Sequence, residues 1–336
     1  MDVATRVLRI GVVGVGRIGR MHADLLARRI PGATVTRVHD VHAESARDVA
    51  ETLGVVAVSD VEELLTASDV DAVAICASTD THADLIVAAA EAGKAIFCEK
   101  PVSLDLATVD RALAAVDAAG VPFQIGFNRR FDPAHAAVAA AVAEGEVGTP
   151  QLARITSRDP APPPIDYIRT SGGIFLDMTI HDFDMARFVV GSEVVEVYAR
   201  GGVRIDREIG EAGDVDTAVV VLEHENGCLT TIDNSRQAVY GYDQRVEVFG
   251  SAGMAASENP LAHTAVVRSA AGTRSPTLPY FFLERYIPSY LREWEAFVGA
   301  VSSEATPPVT GRDARAPLVI GLAAWRSLRE GRPVRV

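Results

Sequence analysis

Apolar and polar positions follow two alternating patterns along residues 1–126. Short runs rich in β-branched residues predict buried strands at 7–13, 33–40, 70–78, 95–99 and 122–127. Segments with helical spacing lie between them, at 17–29, 44–54, 81–92 and 105–119. Continuous apolar strands that alternate with helices are typical of a parallel sheet covered on both faces. Residues 1–126 are therefore predicted to form an α/β domain with a doubly wound parallel sheet.

The pattern changes after about Phe127. A helix is predicted at 132–144, a proline-rich loop at 159–166, and helices at 283–301 and 312–330. Longer strands with period-two alternation lie at 217–225, 228–236 and 244–250, and Asn226-Gly227 between the first two predicts a hairpin. We therefore expect residues 127–336 to form a second, α+β domain with an open, mostly antiparallel sheet. For the last helix, packing against the first domain is an alternative.

Composition and charge narrow the classes of protein to consider. The 336 residues are 48% hydrophobic and 23% charged, which is ordinary for a globular protein. A formal net charge of −13 argues against nucleic acid or an anionic membrane as the main partner. The N-terminus lacks a signal-peptide layout, no apolar run is long enough for a membrane span, and the three scattered cysteines read as buried free thiols. A cytoplasmic protein is expected.

The segment GVGRIG places three glycines in G-x-G-x-x-G register directly after a predicted strand and at the start of a helix. Gly14 allows the tight turn, Gly16 lets a pyrophosphate approach the backbone, and Gly19 permits close helix–strand packing. Arg17 and Ile18 lie within the same turn. Asp40 ends the next strand, where a carboxylate accepts from ribose hydroxyls and repels a 2′-phosphate. The motif predicts a Rossmann domain that binds NAD, although Arg17 and His42 leave NADP open.

Two further strand ends carry polar residues that are predicted to line the same cofactor. In STDTH, the residues Ser78, Thr79, Thr81 and His82 follow the strand at 70–78, and Asp80 or Thr81 is alternatively a helix cap. His82 is expected at the surface of this cap region rather than in catalysis. In EKP, Glu99 and Lys100 end the strand at 95–99, at the edge where such sheets bind ligands. Lys100 is also positioned to stabilise developing alkoxide charge on a substrate.

The segment FLDMTIHDFD carries acidic residues and a histidine within an apolar stretch. On a single helix, Asp177, His181 and Asp184 fall at i, i+4 and i+7, on one face, and a carboxylate one turn away orients an imidazole and raises its basicity. The neighbouring Phe175, Met178 and Phe183 are predicted to anchor the helix in a core. A solvated acidic stripe is the competing interpretation.

Together these segments resemble the glucose–fructose oxidoreductase / inositol dehydrogenase / MocA (Gfo/Idh/MocA) family of NAD(P)-dependent oxidoreductases. The resemblance covers essentially the whole chain and rests on GVGRIG, Asp40, EKP, GFNRRFD and GGIFLDMTIHDFDMARF in that order. The segment DMTIHDFD after SGG looks most like the inositol 2-dehydrogenase branch. The resemblance implies a C-terminal domain for substrate binding and for oligomerisation, with a homotetramer expected and a place in inositol catabolism.

The resemblance also implies the site residues. The catalytic lysine of the family corresponds to Lys100, and its Asp and His correspond to Asp177 and His181. In this mechanism His181 takes the hydroxyl proton, Asp177 holds its tautomer, and the hydride passes to the nicotinamide. Lys100, Asp177 and His181 are also expected to contact the substrate. Further substrate contacts correspond, less directly, to Arg130, Asp184 and Tyr240, and Asp159 lies near where another polar contact is expected.

Several other interpretations stay open at this stage. Asp177, His181 and Asp184 are a potential metal site, although one histidine with carboxylates is a sparse ligand set and no metal is predicted. A non-catalytic sensor that binds NAD and a sugar has less use for a base such as His181. A redox-neutral enzyme that oxidises its substrate transiently differs only in its products. Among oxidoreductases, scyllo-inositol and aldoses are the alternative substrates to myo-inositol.

Overall fold

The computed structural model describes residues 7–336, and two compact units divide the chain. The first unit holds the chain up to Asn128 together with Tyr290–Ala316, and the second unit holds Arg129–Ser289 and Pro317–Val336. Residues 290–316 thus belong with the N-terminal unit, although they are far from it in sequence. Within the described residues, no helix is both long and apolar enough to cross a membrane.

The first unit contains a six-stranded sheet in which every paired strand is parallel. Its strands are β1 (Leu8–Val13), β2 (Ala33–His39), β3 (Val56–Val58), β4 (Ala72–Ile75), β5 (Ala95–Glu99) and β6 (Phe123–Gly126). Its helices are α1 (Arg17–Arg28), α2 (Ala43–Leu53), α3 (Val61–Leu65), α4 (Thr79–Glu91) and α5 (Leu106–Ala119). The strand order is 3-2-1-4-5-6, the order of dinucleotide-binding folds, so the predicted doubly wound sheet is confirmed.

Local sequence explains where these helices begin and end. Asp105 starts α5 by accepting from the backbone N–H of Thr108 at 2.8 Å, and Asp60 caps α3 in the same manner. The helices α2 and α5 end at Gly54 and Gly120, which adopt left-handed conformations with φ of 70° and 65°. These caps are local signals, which is why the helix ends follow from the sequence.

The core of the first unit includes part of a distant helix. The aromatic ring of Trp294 lies 4.2 Å from that of Phe97 in β5, and Phe297 and Val298 are buried in the same cluster. Trp294, Phe297 and Val298 belong to α11 (Phe282–Ser302), which contains Pro288. The boundary between the two units crosses this helix between Ser289 and Tyr290. The helical spacing of α11 was predictable, but its partner was not.

The second unit is built on a seven-stranded mixed sheet in the order β12-β11-β7-β10-β9-β8-β15. Its strands are β7 (Pro150–Arg158), β8 (Val194–Gly202), β9 (Thr217–His224), β10 (Leu229–Ser235), β11 (Asp243–Gly250), β12 (Met254–Ser257) and β15 (Val334–Arg335), beside an exposed ribbon of β13 (Val267–Ser269) and β14 (Gly272–Arg274). Its helices are α6 (Pro133–Ala143), α7 (Ile165–Thr170), α8 (Gly173–Asp177), α9 (Ile180–Val190), α10 (Arg207–Glu211) and the part of α12 (Gly311–Glu330) from Pro317 onward.

This sheet is antiparallel except for one pair, β7 with β10. The predicted hairpin at Asn226-Gly227 joins β9 to β10, with Gly227 at φ 81°. Burial alternates strictly along β9, so one face of the sheet packs into the core and the other is open. The predicted open, mostly antiparallel sheet is confirmed, and Phe175, Met178 and Phe183 lie in the core as expected.

Candidate active site

The glycine loop between β1 and α1 is shaped by close backbone contacts. A Cβ on Gly14, whose φ is +84°, would lie 2.5 Å from the amide nitrogen of Ala77, and a Cβ on Gly19 would lie 1.9 Å from the carbonyl oxygen of Gly14. Gly16 differs, because a Cβ there would meet nothing within 4 Å. Gly14 and Gly19 are thus required by the fold, whereas the bare backbone at Gly16 leaves space for a ligand.

The start of α1 fits a bound pyrophosphate. Gly16 is the N-cap residue, no side chain caps it, and the first turn, which contains Arg17 and Ile18, carries no acidic residue. The backbone amide groups at a helix N-terminus and the positive end of the helix dipole attract an anion. The space above Gly16 and this helix start therefore match the phosphate-binding turn of an NAD-binding fold.

Asp40 lies at the end of β2 beside the glycine loop. Its Oδ2 accepts from the backbone N–H of Val15 and its Oδ1 accepts from that of His42, both at 2.8 Å. The carboxylate thus fixes the loop relative to the end of β2. Because a carboxylate has about four acceptor positions, these two bonds leave capacity for ribose hydroxyls.

The polar residues after β4 lie at the start of α4, and one of them differs from expectation. Ser78 is the N-cap residue without a side-chain cap, and the Thr81 hydroxyl donates to the Ser78 carbonyl at 2.8 Å rather than capping an amide. Thr79 is the first residue of α4. The prediction that His82 lies at the surface is wrong, because His82 is 1% exposed. Its ring nitrogens lie 2.8 Å from the Pro101 carbonyl oxygen and 2.9 Å from that of Ala77.

Glu99 and Lys100 lie at the carboxyl end of β5. The Glu99 Oε1 lies 2.8 Å from Nε2 of His22, and Oε2 accepts from the Lys100 backbone N–H at 3.3 Å. The next peptide bond, Lys100–Pro101, is cis. The motif thus connects through Glu99 to a buried histidine on α1, a contact that the sequence did not indicate.

Asp177 and His181 do not lie on one helix, so that prediction is wrong. Asp177 ends α8 and His181 lies in the first turn of α9, with Met178 and Thr179 between the two helices. The alternative of a solvated acidic stripe is also wrong, since Asp182 and Asp184 in α9 are at most 1% exposed. Asp182 and Asp184 therefore face the interior of the second unit, whereas Asp177 and His181 are partly exposed.

Asp177 is held by two side chains that sequence reasoning missed. The Tyr167 hydroxyl donates to its Oδ1 at 2.8 Å, and a guanidinium nitrogen of Arg236 lies 3.5 Å from its Oδ2. Arg236 is 1% exposed and also contacts Asp214, whose Oδ1 accepts from the Ile174 N–H at the start of α8. Burial raises the pKa of Asp214, and its bonds to Ile174 and Arg236 oppose that rise.

Two predicted substrate contacts bind each other. The guanidinium of Arg130 donates to both oxygens of Asp184, at 2.8 and 2.6 Å, in a bidentate ion pair. The adjacent Arg129 and Asp182 form a second buried pair at 2.7 Å, and Asn234 donates to Asp182 at 2.8 Å. Burial raises the pKa of Asp182 against the opposing charge of Arg129. The buried carboxylates of α9 and their arginine and asparagine partners therefore form a network of paired polar groups.

Asp159 and Tyr240 occupy different surroundings. Asp159 is half-buried after β7, and desolvation, opposed by Arg236 and reinforced by Asp177, raises its pKa to about 6. The Tyr240 hydroxyl donates to Asp243 at 2.6 Å and accepts from Arg158 at 3.0 Å. Burial and the bond to Asp243 raise the pKa of Tyr240. A carboxyl whose pKa is raised by burial beside other charged groups is characteristic of functional sites, and this favours a substrate-binding role for Asp159.

Cysteine thiols and metal-ligating side chains are the remaining candidate reactive groups. The thiols of Cys76, Cys98 and Cys228 are free and buried, as predicted. Among residues 7–336, no group of three or more His, Cys, Asp or Glu side chains is arranged to hold a metal ion.

Comparison with known proteins identifies the family. Residues 8–127 match the family described as "Oxidoreductase family, NAD-binding Rossmann fold", and residues 135–256 match the GFO/IDH/MocA C-terminal domain. The protein named myo-inositol 2-dehydrogenase of Thermotoga maritima is 52% identical over 98% of both chains. The chain belongs to the Gfo/Idh/MocA family. Its first unit is accordingly an NAD-binding Rossmann domain of an oxidoreductase, as predicted.

Two further members of the Gfo/Idh/MocA family extend this comparison. The inositol 2-dehydrogenase of Rhizobium meliloti is 45% identical over 98% of this chain and 99% of its own. A crystal structure of scyllo-inositol dehydrogenase from Lactobacillus casei with bound NAD(H) and scyllo-inositol is 29% identical, with a TM-score of 0.92, and covers 98% of this chain and 99% of that one. The similarity thus extends over both units.

Proposed function

We propose that the protein is an inositol 2-dehydrogenase that oxidises myo-inositol to 2-keto-myo-inositol with NAD as hydride acceptor. The observation that carries this proposal is the full-length similarity to relatives named for this activity, at 52% and 45% identity. Support from the chain itself comes from the glycine loop, which leaves space for a pyrophosphate at Gly16, and from the presence of Lys100, Asp177 and His181.

In the proposed mechanism, His181 takes the proton of the reacting hydroxyl. Asp177 orients the imidazole and stabilises the imidazolium, and Tyr167 and Arg236 hold Asp177 in place. Lys100 stabilises the alkoxide as it forms. Bound NAD supplies the acceptor for the hydride that leaves the same carbon. The products are a ketone, NADH and the proton on His181, so atoms and electrons balance.

We further propose that polar side chains of the second unit recognise the remaining hydroxyls of the ring. Asp159 and Tyr240 are partly exposed and offer oxygens that accept or donate hydrogen bonds. Arg130 and Asp184 are more buried and bind each other, so their contribution is either a contact from the edge of the pair or the fixing of α9. A set of this kind suits a polyol better than an apolar alcohol.

The second candidate substrate is scyllo-inositol, and the ligand of the Lactobacillus casei structure favours it. The two isomers differ in the orientation of one hydroxyl, which a few hydrogen bonds distinguish. A redox-neutral reaction with transient oxidation and a non-catalytic NAD sensor remain as further alternatives. Both predict NAD binding without net formation of NADH, and product analysis separates the redox-neutral enzyme from the sensor.

We also propose that the open face of the second unit's sheet mediates self-association into a tetramer. Four exposed apolar residues form a cross-strand row on this face: Leu229, Leu152, Phe249 and Met254. A contiguous apolar patch of this kind marks an interaction surface. Light scattering of wild type and Phe249→Asp tests this proposal. An oligomeric mass in wild type that falls in the variant supports it, and an unchanged mass in the variant contradicts it.

The proposal includes a cytoplasmic role in inositol catabolism, which three free buried thiols and the need for NAD support. The test of the function is NADH appearance from purified protein with NAD⁺ or NADP⁺ and a panel of inositol isomers and aldoses. Preferred NAD-dependent turnover of myo-inositol is expected. Preference for another isomer would change only the substrate, and NAD binding without turnover across the panel would contradict the proposal.

A further inference from the structure

A buried chain of hydrogen bonds connects three elements of the first unit and ends at the backbone of Lys100. The indole Nε1–H of Trp294 in α11 donates to Nδ1 of His22 in α1 at 2.8 Å. Nε2 of His22 lies 2.8 Å from Oε1 of Glu99 at the end of β5, and Oε2 of Glu99 accepts from the Lys100 N–H at 3.3 Å. His22 and Trp294 are both 0% exposed.

The donor at one end fixes the proton on the imidazole. An indole Nε1–H only donates, so Nδ1 of His22 must be the acceptor and carry no proton. The proton of the neutral ring then lies on Nε2, from which it is donated to Glu99. An imidazolium would place two N–H groups of Trp294 and His22 against each other. The contact with Glu99 is therefore a hydrogen bond from a neutral histidine rather than an ion pair.

Aromatic neighbours hold the plane of this imidazole. The rings of Phe97, Tyr290 and Trp294 pack edge-on against His22, with centroid distances of 5.5, 5.3 and 5.5 Å. A buried ring with fixed neighbours and two fixed hydrogen bonds has one orientation available. Glu99, whose side chain is 12% exposed, takes its own orientation from that ring.

This hydrogen-bond chain joins the helix that begins at the pyrophosphate-binding turn to the strand that ends at Lys100. His22 lies in α1, the helix that begins at Gly16 and whose N-terminus fits a pyrophosphate. Glu99 and Lys100 lie at the end of β5. A helix and a strand end that share a buried hydrogen-bond chain move as one body, so the pyrophosphate turn and the Lys100 backbone keep a fixed separation.

We propose that His22 is a positioning residue that, through Glu99, fixes the backbone of Lys100 relative to the dinucleotide-binding turn. This inference rests on the proposed function, since it matters for turnover only if Lys100 stabilises the alkoxide. His22 touches neither substrate nor cofactor in this role. Its loss is expected to misplace Lys100 while the glycine loop, and with it NAD binding, persists.

The first test reads the histidine directly. Protein with ¹⁵N-labelled histidine is examined by long-range ¹H–¹⁵N correlation, and His22→Gln assigns the His22 signals by their absence. A neutral ring protonated at Nε2 is expected. A ring protonated at Nδ1, or an imidazolium at pH 7, would overturn the hydrogen-bond chain. Trp294→Phe removes the donor to Nδ1 and leaves Glu99 in place, so the Nδ1 signal is expected to shift, whereas an unchanged spectrum would contradict the role of Trp294.

The second test separates positioning from packing. His22→Leu should lower kcat about tenfold to a hundredfold, the range for a misplaced catalytic group, with the Kd for NADH changed less than about threefold. His22→Gln should recover most of kcat, because its amide both donates to Glu99 and accepts from Trp294. Equal losses in His22→Leu and His22→Gln, or unchanged kcat in both, would overturn the proposal. If His22→Leu fails to fold, His22→Gln and Trp294→Phe still provide the kinetic comparison.

Two controls keep this result separate from that of the proposed function. His263→Leu, at an exposed position, should match wild type in kcat and Kd. Lys100→Met should abolish turnover of the inositol that wild type oxidises. If His22→Leu keeps a normal kcat while Lys100→Met is inactive, the positioning role of His22 is refuted and the proposed function is not. Absence of turnover in wild type would refute the proposed function, and the tautomer measurement would still decide the structural half of the inference.

Discussion

The glycine loop of the first unit and the segment 177–184 of the second unit are built by different means. The loop is made of backbone: bare Cα positions, a helix N-terminus and one carboxylate that bonds the amides of Val15 and His42. The segment is made of charged side chains, and its carboxylates pair with arginines that lie far away in sequence. A backbone-built site is encoded in a few consecutive residues, whereas a side-chain network is encoded throughout the domain.

Removal of the proposed base, His181, should have the largest effect on activity. His181→Ala should lower kcat for the inositol substrate about 10²- to 10⁴-fold, the usual contribution of a general base, and should leave NADH affinity unchanged. The measurement is steady-state kinetics with NADH binding by fluorescence. His263→Ala, an exposed histidine of the same unit, is the matched control and should behave as wild type. A rate within about threefold of wild type in His181→Ala would exclude it as the base.

The next largest effect concerns the charges around Asp177. Arg236→Met leaves Asp177 and Asp214 without their buried guanidinium and should destabilise the protein by about 3–5 kcal/mol. Arg236→Lys should recover part of that loss. Chemical denaturation measures the effect, with the exposed Arg274→Met as the control. If Arg236→Met is as stable as wild type, the network is not what holds α8 in place.

A pair of alanine substitutions tests the backbone-built site. Gly16→Ala meets open space at φ −65°, so stability should change by no more than about 0.5 kcal/mol, while its methyl group crowds the pyrophosphate and weakens NAD binding about tenfold. Gly19→Ala puts its Cβ 1.9 Å from a backbone oxygen and should lower stability by about 1–3 kcal/mol. Thermal unfolding and NADH titration measure both. The reverse pattern would contradict the assigned roles of the two glycines.

The smallest expected effect concerns a buried carboxyl group in the first unit. Glu293 is 0% exposed, and burial with the nearby Glu99 raises the pKa of Glu293 well above its usual 4.5. Its folded-state pKa is therefore higher than its unfolded one, so the stabilising protonation is complete below 4.5 and is lost as pH rises through the folded value. Glu293→Gln does not titrate at this position. Its Tm should therefore gain on that of wild type as pH is raised above 4.5; equal slopes of Tm against pH would show that Glu293 is not protonated in the folded state.

The comparison also explains which features the sequence could predict. Five of the six strands of the first unit, the Gly54 and Gly120 helix ends and the Asn226-Gly227 hairpin depend on local patterns, and each is present in the structure. The short strand β3 (Val56–Val58) was not predicted. The break between α8 and α9 was missed because Met178 and Thr179 fit a helical pattern, and the hydroxyl of Thr179 bonds Asn234, which lies far away in sequence. The parallel pairing of β7 with β10 was missed because β7 (Pro150–Arg158) was not itself predicted as a strand.

The site residues divide in the same manner. Gly14, Gly16, Gly19 and Asp40 were predicted from a motif with a defined geometry, and the structure places them together. Arg236, Asp214 and Tyr167 were missed, because nothing in their local sequence distinguishes a buried counter-ion from a surface charge. The burial of His82 was missed because its two partners are backbone carbonyl groups, which carry no sequence signal.

We propose that this chain removes a hydride from one carbon of an inositol and passes it to NAD. The most direct test is incubation of the enzyme and NAD⁺ with myo-inositol that carries deuterium at C2, followed by mass spectrometry of the reduced cofactor. We expect one deuterium in the NADH and a ketone in the ring product. Consumption of inositol without deuterium in the cofactor, or NADH that carries only protium, would contradict the account.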